Sequence, residues 1–390
     1  MNDSTTQPLK IASIGAGRRG QIVKMAHRPD EGVHLVGACD VLAKVRDEYR
    51  AEFGPDLLTT DDYRDILDIP GLDAVFVTSP DFLHEEHAVA ALSRGIAVYL
   101  EKPMAITIEG CDRILDAAAK HHAKLYLGHN MRFFPVFRKM KELIDQGCIG
   151  EVQAVWCRHF VGHGGDYYFK DWHSERQYTT GLLLQKAAHD IDVIHWLAGA
   201  YTSRVCGMGK LSVFNQVEDR RDPGALGDPE TDLKRWPPRK QSGMSPKIDV
   251  EDHSMVLMQL ANGVQASYTQ CHYTPDSHRN YTVIGTEGRI ENIGDHSNDQ
   301  IKASVRLWNQ RIESISEHGS EEFVIDPIEG GHGGADPQII DDFIHYLRTD
   351  ERRGAKPMDA RMSVAAGYLA TSSLRDGNHG LAVPSYDQPR

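Results

Sequence analysis

Residues 13–23 read SIGAGRRGQIV, which places Gly15, Gly17 and Gly20 at GxGxxG spacing directly behind the apolar run LKIASI at 9–14. A chain with 35 glycines meets that spacing by chance, so its meaning rests on its flanks. An extended apolar run precedes it and a helix-forming run follows, which is the setting of a strand-turn-helix that cradles a dinucleotide. There Gly15 permits the tight turn, Gly17 lets the backbone approach a pyrophosphate, and Gly20 allows close helix packing. Amides and dipole at the helix N-terminus then face the phosphates. The next apolar run, VHLVGACD, ends at Asp40, twenty residues beyond Gly20. A carboxylate there accepts hydrogen bonds from the adenosine ribose and repels a 2'-phosphate, so NAD is expected rather than NADP. Arg18 and Arg19 are candidates for the pyrophosphate, with a solvated first turn as the alternative.

Working outward, the grammar from Lys10 to about Asn130 alternates strand and helix, as in LDAVFVTSP, EEHAVAALSRG, IAVYLEKP, IEGCDRILDAAAKHH and KLYLGHN. That alternation predicts a doubly wound parallel sheet. Beyond Asn130 one half-buried helix, PVFRKMKELIDQG, gives way to strands. EVQAVWCRHF opens them. Two hairpins are expected, turned at Asn262-Gly263 and Glu287-Gly288. The fold class is therefore α/β: an N-terminal Rossmann sheet over 1–130, and a C-terminal α+β domain over 131–390 with an open-faced, largely antiparallel sheet. A buried helix near 359–376 is expected to pack back on the first domain. Residues 215–248 are charged and proline-rich, and read as a long loop covering a site or a partner subunit.

Composition narrows the function. The 390 residues carry a formal charge of -13, which disfavours nucleic acid and anionic membranes as partners. No apolar leader or membrane-length run is present, and six cysteines lie scattered without CxxC spacing, so a cytoplasmic protein with reduced thiols is expected. HEEH at 84–87 has its histidines three apart rather than four, so no metal site is expected.

Three further stretches, TSPDFLHEEHAVAAL (78–92), VYLEKPMAIT (98–107) and GLLLQKAAHDIDVIHWL (181–197), join the glycine turn and GHNMRFFPVFRKMKELIDQGCIGEV (128–152). Together they resemble the Gfo/Idh/MocA family of nicotinamide-dependent oxidoreductases over nearly the whole chain. The resemblance implies NAD as cofactor, a sugar, sugar derivative or inositol as substrate, and a homodimer or homotetramer built through the open sheet. It matches Lys102 to the family's active-site lysine and His189 to its catalytic histidine. It also sets Thr78, Ser79, His84 and Glu101 near the nicotinamide half of the cofactor. The chemistry suits them: a histidine accepts the hydroxyl proton, and a lysine stabilises the developing oxyanion.

One departure is Gln185, where many relatives carry aspartate. On a continuous helix Gln185, His189 and Asp192 share a face, with Lys186 beside them. Lys186 and Arg132 then form a cationic wall that suits an anionic sugar, unless Lys186 pairs with Asp190 or Asp192. Tyr168 and Trp172 are candidates for stacking on a sugar ring. His195 is expected to be a core or interface histidine. A second reading is an NAD-dependent glycoside hydrolase that oxidises C3, eliminates, adds water and re-reduces, with Tyr167, Tyr168, His163 and His332 as acid-base candidates. A third is a non-catalytic dinucleotide sensor, against which Lys102 and His189 both count.

Overall fold

The structure is a computed structural model that describes residues 7–223, 231–232, 234–298, 300–311, 313–314 and 316–386. The chain divides into two compact units. One comprises Met1–His129, Asp336–Met358 and Tyr386–Arg390, and the other Asn130–Ala335 and Asp359–Ser385.

The first unit holds a six-stranded sheet of β1 (Leu9–Ile14), β2 (Val33–Cys39), β3 (Leu58–Thr60), β4 (Ala74–Val77), β5 (Ala97–Leu100) and β6 (Leu125–Leu127), ordered β3-β2-β1-β4-β5-β6. Every pairing is parallel. The strands β4, β5 and β6 are buried at every residue, as expected of a sheet covered on both faces. Helices such as His84–Leu92 and Ile108–Lys120 connect them; Thr107 caps the latter by accepting from the Gly110 amide. The strand order reverses between β1 and β4, which opens a crevice at the carboxyl ends. A late segment completes this unit. Phe343 stands edge-on to Phe76 and Tyr99, with centroids 5.2 and 5.4 Å away, and the Tyr126 hydroxyl donates to Asp342 Oδ2 at 2.6 Å.

The second unit is built on a nine-stranded sheet: β7 (Val152–Phe160), β8 (Thr202–Lys210), β9 (His253–Leu260), β10 (Gln265–Cys271), β11 (His278–Gly285), β12 (Arg289–Ile293), β13 (Ser304–Trp308), β14 (Glu321–Val324) and β15 (Leu381–Ala382). Its order is β14-β13-β12-β11-β7-β10-β9-β8-β15. All pairings are antiparallel except β7 with β10. Both expected hairpins form, β9-β10 around Gly263 (φ 91°) and β11-β12 closed by the Gly285 amide donating to the Gly288 carbonyl. Along β9 buried and exposed residues alternate, the mark of a sheet with one open face. The helix Ala187–Ala198 packs on the other face against β7 and β10. Gly207 and Gly367 allow the helix Pro357–Arg375 to close in: a Cβ at Gly207 would lie 2.2 Å from the Ala370 carbonyl oxygen, and one at Gly367 2.3 Å from that of Leu183. Among the described residues of 215–248 the backbone forms short 3-10 turns and one parallel bridge between Arg220 and Met244. Phe214, Val217 and Met244 share a small core with Phe169, and the Ser245 amide donates to the Phe169 carbonyl.

Candidate active site

In the first unit the candidate residues gather at the carboxyl ends of β1, β2, β4 and β5. Gly15 adopts φ 87°, and a Cβ there would sit 2.5 Å from the Ser79 amide nitrogen, so the turn after β1 runs against the end of β4. A Cβ on Gly20 would lie 2.1 Å from the Gly15 carbonyl oxygen. Thr78 Oγ1 donates to that same carbonyl at 2.6 Å. The helix-forming run after Gly17 begins as a 3-10 turn, Arg18–Gln21, which precedes a five-residue α-helix, Ile22–Ala26. Asp40 reaches back from β2 into this turn. Its Oδ2 accepts the Gly17 amide hydrogen at 2.9 Å and its Oδ1 accepts from Leu42 at 2.9 Å. Glycines that admit a close backbone approach, with a carboxylate at the end of the second strand, are the groups a dinucleotide requires, and the residues present fit it.

Arg18 is exposed, whereas Arg19 folds inward. Its Nε lies 2.5 Å from Glu101 Oε1 and its Nη1 2.9 Å from Asp336 Oδ2, so its guanidinium is engaged by two carboxylates of its own unit. Glu101 Oε2 also accepts the Lys102 amide hydrogen at 3.0 Å. Arg19 thus steadies the carboxylate that holds the Lys102 backbone. His84 is buried and spans two loops, with Nδ1 2.7 Å from the Pro103 carbonyl and Nε2 2.8 Å from that of Ser79. Ser79 Oγ meets His87 Nδ1 at 2.9 Å. His84 therefore ties the ends of β4 and β5 together, and His87 holds the end of β4.

In the second unit the helical segment is interrupted at Lys186, between Leu182–Gln185 and Ala187–Ala198. Gln185 is buried and His189 partly exposed. Arg132 and Asp192 form a bidentate pair, Nε to Oδ2 at 2.9 Å and Nη2 to Oδ1 at 2.7 Å, and Nη1 also meets Asp359 Oδ2 at 3.1 Å. The cationic wall expected of Arg132 and Lys186 is thereby changed, because two carboxylates already balance Arg132. Lys186 makes neither expected ion pair. Asp190 is taken by Arg279 (2.9 Å), His159 (3.2 Å) and the Tyr281 hydroxyl. Burial alone would favour the Asp190 acid, but these partners hold it well below the usual carboxylate range. Lys186 Nζ instead lies over the Tyr168 ring, 5.5 Å from its centroid. Burial, with Arg279 nearby, pushes the Lys186 ammonium down to about 8. Trp172 stacks on His173 with centroids 3.6 Å apart, and Tyr167 is exposed.

The profile of an oxidoreductase family, NAD-binding Rossmann fold, matches residues 9–129, and that of the family's C-terminal alpha/beta domain matches residues 141–383. The chain belongs to the Gfo/Idh/MocA oxidoreductase family. Its first unit is accordingly an NAD-binding Rossmann fold. Among Gfo/Idh/MocA relatives, the inositol 2-dehydrogenase of Ralstonia nicotianae is 31% identical over 336 residues, covering 83% of this chain and 87% of that protein. The fold is shared with levoglucosan dehydrogenase in complex with NADH and L-sorbose, at TM-score 0.78 and 19% identity, over 98% of this chain and 100% of that one. It is also shared with aldose-aldose oxidoreductase from Caulobacter crescentus, at TM-score 0.73 and 19% identity, over 96% and 100%.

Around the Gfo/Idh/MocA helix that carries His189, the sequence reading passed over Arg279, His159, His272 and Tyr281. The signal was present. On β11 Arg279 and Tyr281 occupy the buried positions of a two-residue alternation, and on β7 Cys157 and His159 do the same. A charged residue on the core face of a strand demands a buried partner. His195 is a core residue, its Nε2 accepting the Thr202 amide hydrogen at 3.1 Å.

Proposed function

We propose that this protein is an NAD-dependent dehydrogenase acting on a secondary hydroxyl of a sugar, sugar derivative or inositol. The observation that carries the reading is the Glu101–Lys102 corner: Lys102 follows β5 at the carboxyl edge of an NAD-binding sheet, its backbone held by a carboxylate that Arg19 braces. The similarity to an inositol 2-dehydrogenase supports the substrate class. Bound NAD supplies a hydride acceptor for the carbinol carbon. Lys102 donates a hydrogen bond to the reacting oxygen and stabilises its negative charge as the hydroxyl proton leaves. His189 takes that proton, and Gln185, which cannot titrate, is left to hydrogen-bond the substrate. Tyr168 and Trp172 offer apolar rings to a sugar face. Asp40 would hold the ribose hydroxyls of bound NAD, and Thr78 and Ser79 would border its nicotinamide.

The second unit also supplies a surface for self-association. Trp156 on β7, Met208 on β8 and Met255 and Leu257 on β9 are 47–63% exposed on the open face of the sheet. Their strands neighbour one another through β10 and β9, with Ser267 of β10 in register between Trp156 and Leu257, so the side chains cluster on one face as an apolar patch of the kind that marks an interface. A homodimer or homotetramer through this face follows.

The test is a panel of myo-inositol, neutral and anionic sugars and aryl glycosides, with NAD or NADP, following reduced-nicotinamide absorbance and aglycone release together. Stoichiometric NADH from free polyols or sugars is expected. Aglycone release without net NADH would replace this reading by a redox-assisted glycosidase.

A further inference from the structure

Among the described residues no carboxylate lies within ion-pair distance of Lys186. The groups around it come from six elements of the second unit. Asp190 lies one turn along its own helix, Arg279 is on β11, His159 on β7, His272 just after β10, Asp295 after β12, and Tyr168 on the short helix Gly164–Tyr168. Both acids are engaged elsewhere. Asp190 holds Arg279 and His159, while Asp295 holds Arg279 at 3.2 Å and His296 at 2.7 Å. His159 and His272 stay neutral beside it and add no charge of either sign, because burial pushes both well below the usual imidazole range, with Arg279 adding to the shift at His159 and His159 itself at His272. Lys186 is moreover the N-cap of the twelve-residue helix Ala187–Ala198, at the positive end of its dipole. An ammonium at that place has burial, a guanidinium and a helix N-terminus against it, while Asp190 and Asp295 at longer range and the Tyr168 face favour it. The balance shifts the ammonium down to about 8, so the neutral amine becomes the main form above that pH, where ordinary lysines are still charged.

His189 follows Lys186 by three residues, a spacing that makes helical side chains neighbours. We propose that Lys186 is the proton sink of this helix face, receiving through His189 the proton released when the substrate hydroxyl is oxidised. This rests on the dehydrogenase reading above. The O–H bond breaks and its electron pair becomes the second C–O bond of the ketone. The carbinol C–H pair leaves as hydride to NAD, the oxidant of that reading. The proton passes to the imidazole, then to the amine lone pair, and the resulting ammonium releases it to water. Lys186 is in this sense a positioning residue for the proton, acting through His189.

The experiment combines amine labelling with two substitutions. Wild-type protein is treated with acetic anhydride across pH 6–11, and acetylation at Lys186 is quantified by peptide mass spectrometry. Its half-point is expected near pH 8, and a half-point above 10, where ordinary lysines titrate, overturns the proposal. Lys186→Arg and Lys186→Met are then compared with wild type for thermal stability and for kcat/KM against pH, on whichever panel alcohol the enzyme oxidises. Arginine keeps a charge but cannot exchange a proton at these pH values. Both variants are therefore expected to lose tenfold or more between pH 7 and 9, along with the activity limb near pH 8. A Lys186→Arg enzyme with the wild-type profile makes Lys186 a charge anchor and overturns the proton sink alone. A protein that oxidises no alcohol in the panel, yet labels at Lys186 with a half-point near 8, overturns the dehydrogenase reading and the relay with it.

Discussion

The Asp40 carboxylate accepts the Gly17 amide hydrogen at 2.9 Å, so the residue assigned to the ribose also braces the glycine turn. Asp40→Ala removes both functions. NAD affinity is expected to fall tenfold or more, which corresponds to about 1.4 kcal/mol. Discrimination against NADP is expected to narrow as well. Fluorescence titration with each nucleotide checks this, and unchanged selectivity would count against the assignment.

The glycines of the turn differ in what they tolerate. A Cβ at position 20 meets the Gly15 carbonyl oxygen at 2.1 Å, a backbone atom that cannot step aside, whereas one at position 17 stands 3.4 Å from Asp40 Oδ2. Gly20→Ala is expected to destabilise the first unit by about 1–3 kcal/mol, the usual cost of overpacking. Gly17→Ala is expected to leave unfolding nearly unchanged and to weaken NAD binding. Urea unfolding together with nucleotide titration separates the two effects.

Arg132 and Asp192 are each nearly buried, with side-chain exposures of 11% and 1%. Arg132→Met leaves Asp192 and Asp359 without their cation, and a loss of about 3–5 kcal/mol is expected. The double variant Arg132→Met/Asp192→Leu should lose less than the sum of the two single variants. Strict additivity in a double-mutant cycle would show that the pair contributes no coupling.

Three buried histidines, His87, His159 and His195, are pushed by burial down to about 4. With the folded value below the unfolded 6.5, the unfolded chain binds more protons between pH 4 and 6.5. Stability is therefore expected to fall as pH drops through that window and to lose this dependence below pH 4. His195→Gln should remove up to one proton from the slope, or about 1.4 kcal/mol per pH unit. Denaturant unfolding at half-unit pH steps measures it, and an unchanged slope would indicate that His195 does not titrate in this way.

A charge on the open sheet should prevent self-association. Leu257→Lys, alone or with Trp156→Lys, is expected to shift the particle to a monomer in light scattering without lowering helix or strand content. An unaltered mass would place the interface elsewhere.

Much of this protein is legible in its sequence because the signals are local. The alternation of strand and helix, the glycine spacing and Asp40 act within a few dozen residues and specify the Rossmann strands. The period-two patterns around Gly263 and Gly288 likewise specify the two hairpins. Pairings between distant segments were not legible. β7 lies beside β10 in parallel, across more than a hundred residues, and Phe343 joins Phe76 and Tyr99 from the far end of the chain. The same holds at the candidate site. Lys102, His189 and Lys186 stand out from motif and spacing, yet the destination of each charge is a three-dimensional fact. Arg19 turns to Glu101 and Asp336, Arg132 to Asp192 and Asp359, and Asp190 to Arg279. Periodicity and turn chemistry are written residue by residue, so the sequence alone determined the fold class and the residue types available for chemistry. Which carboxylate balances which cation depends on distance and burial, and only the tertiary structure decided that, among the described residues, none would reach Lys186.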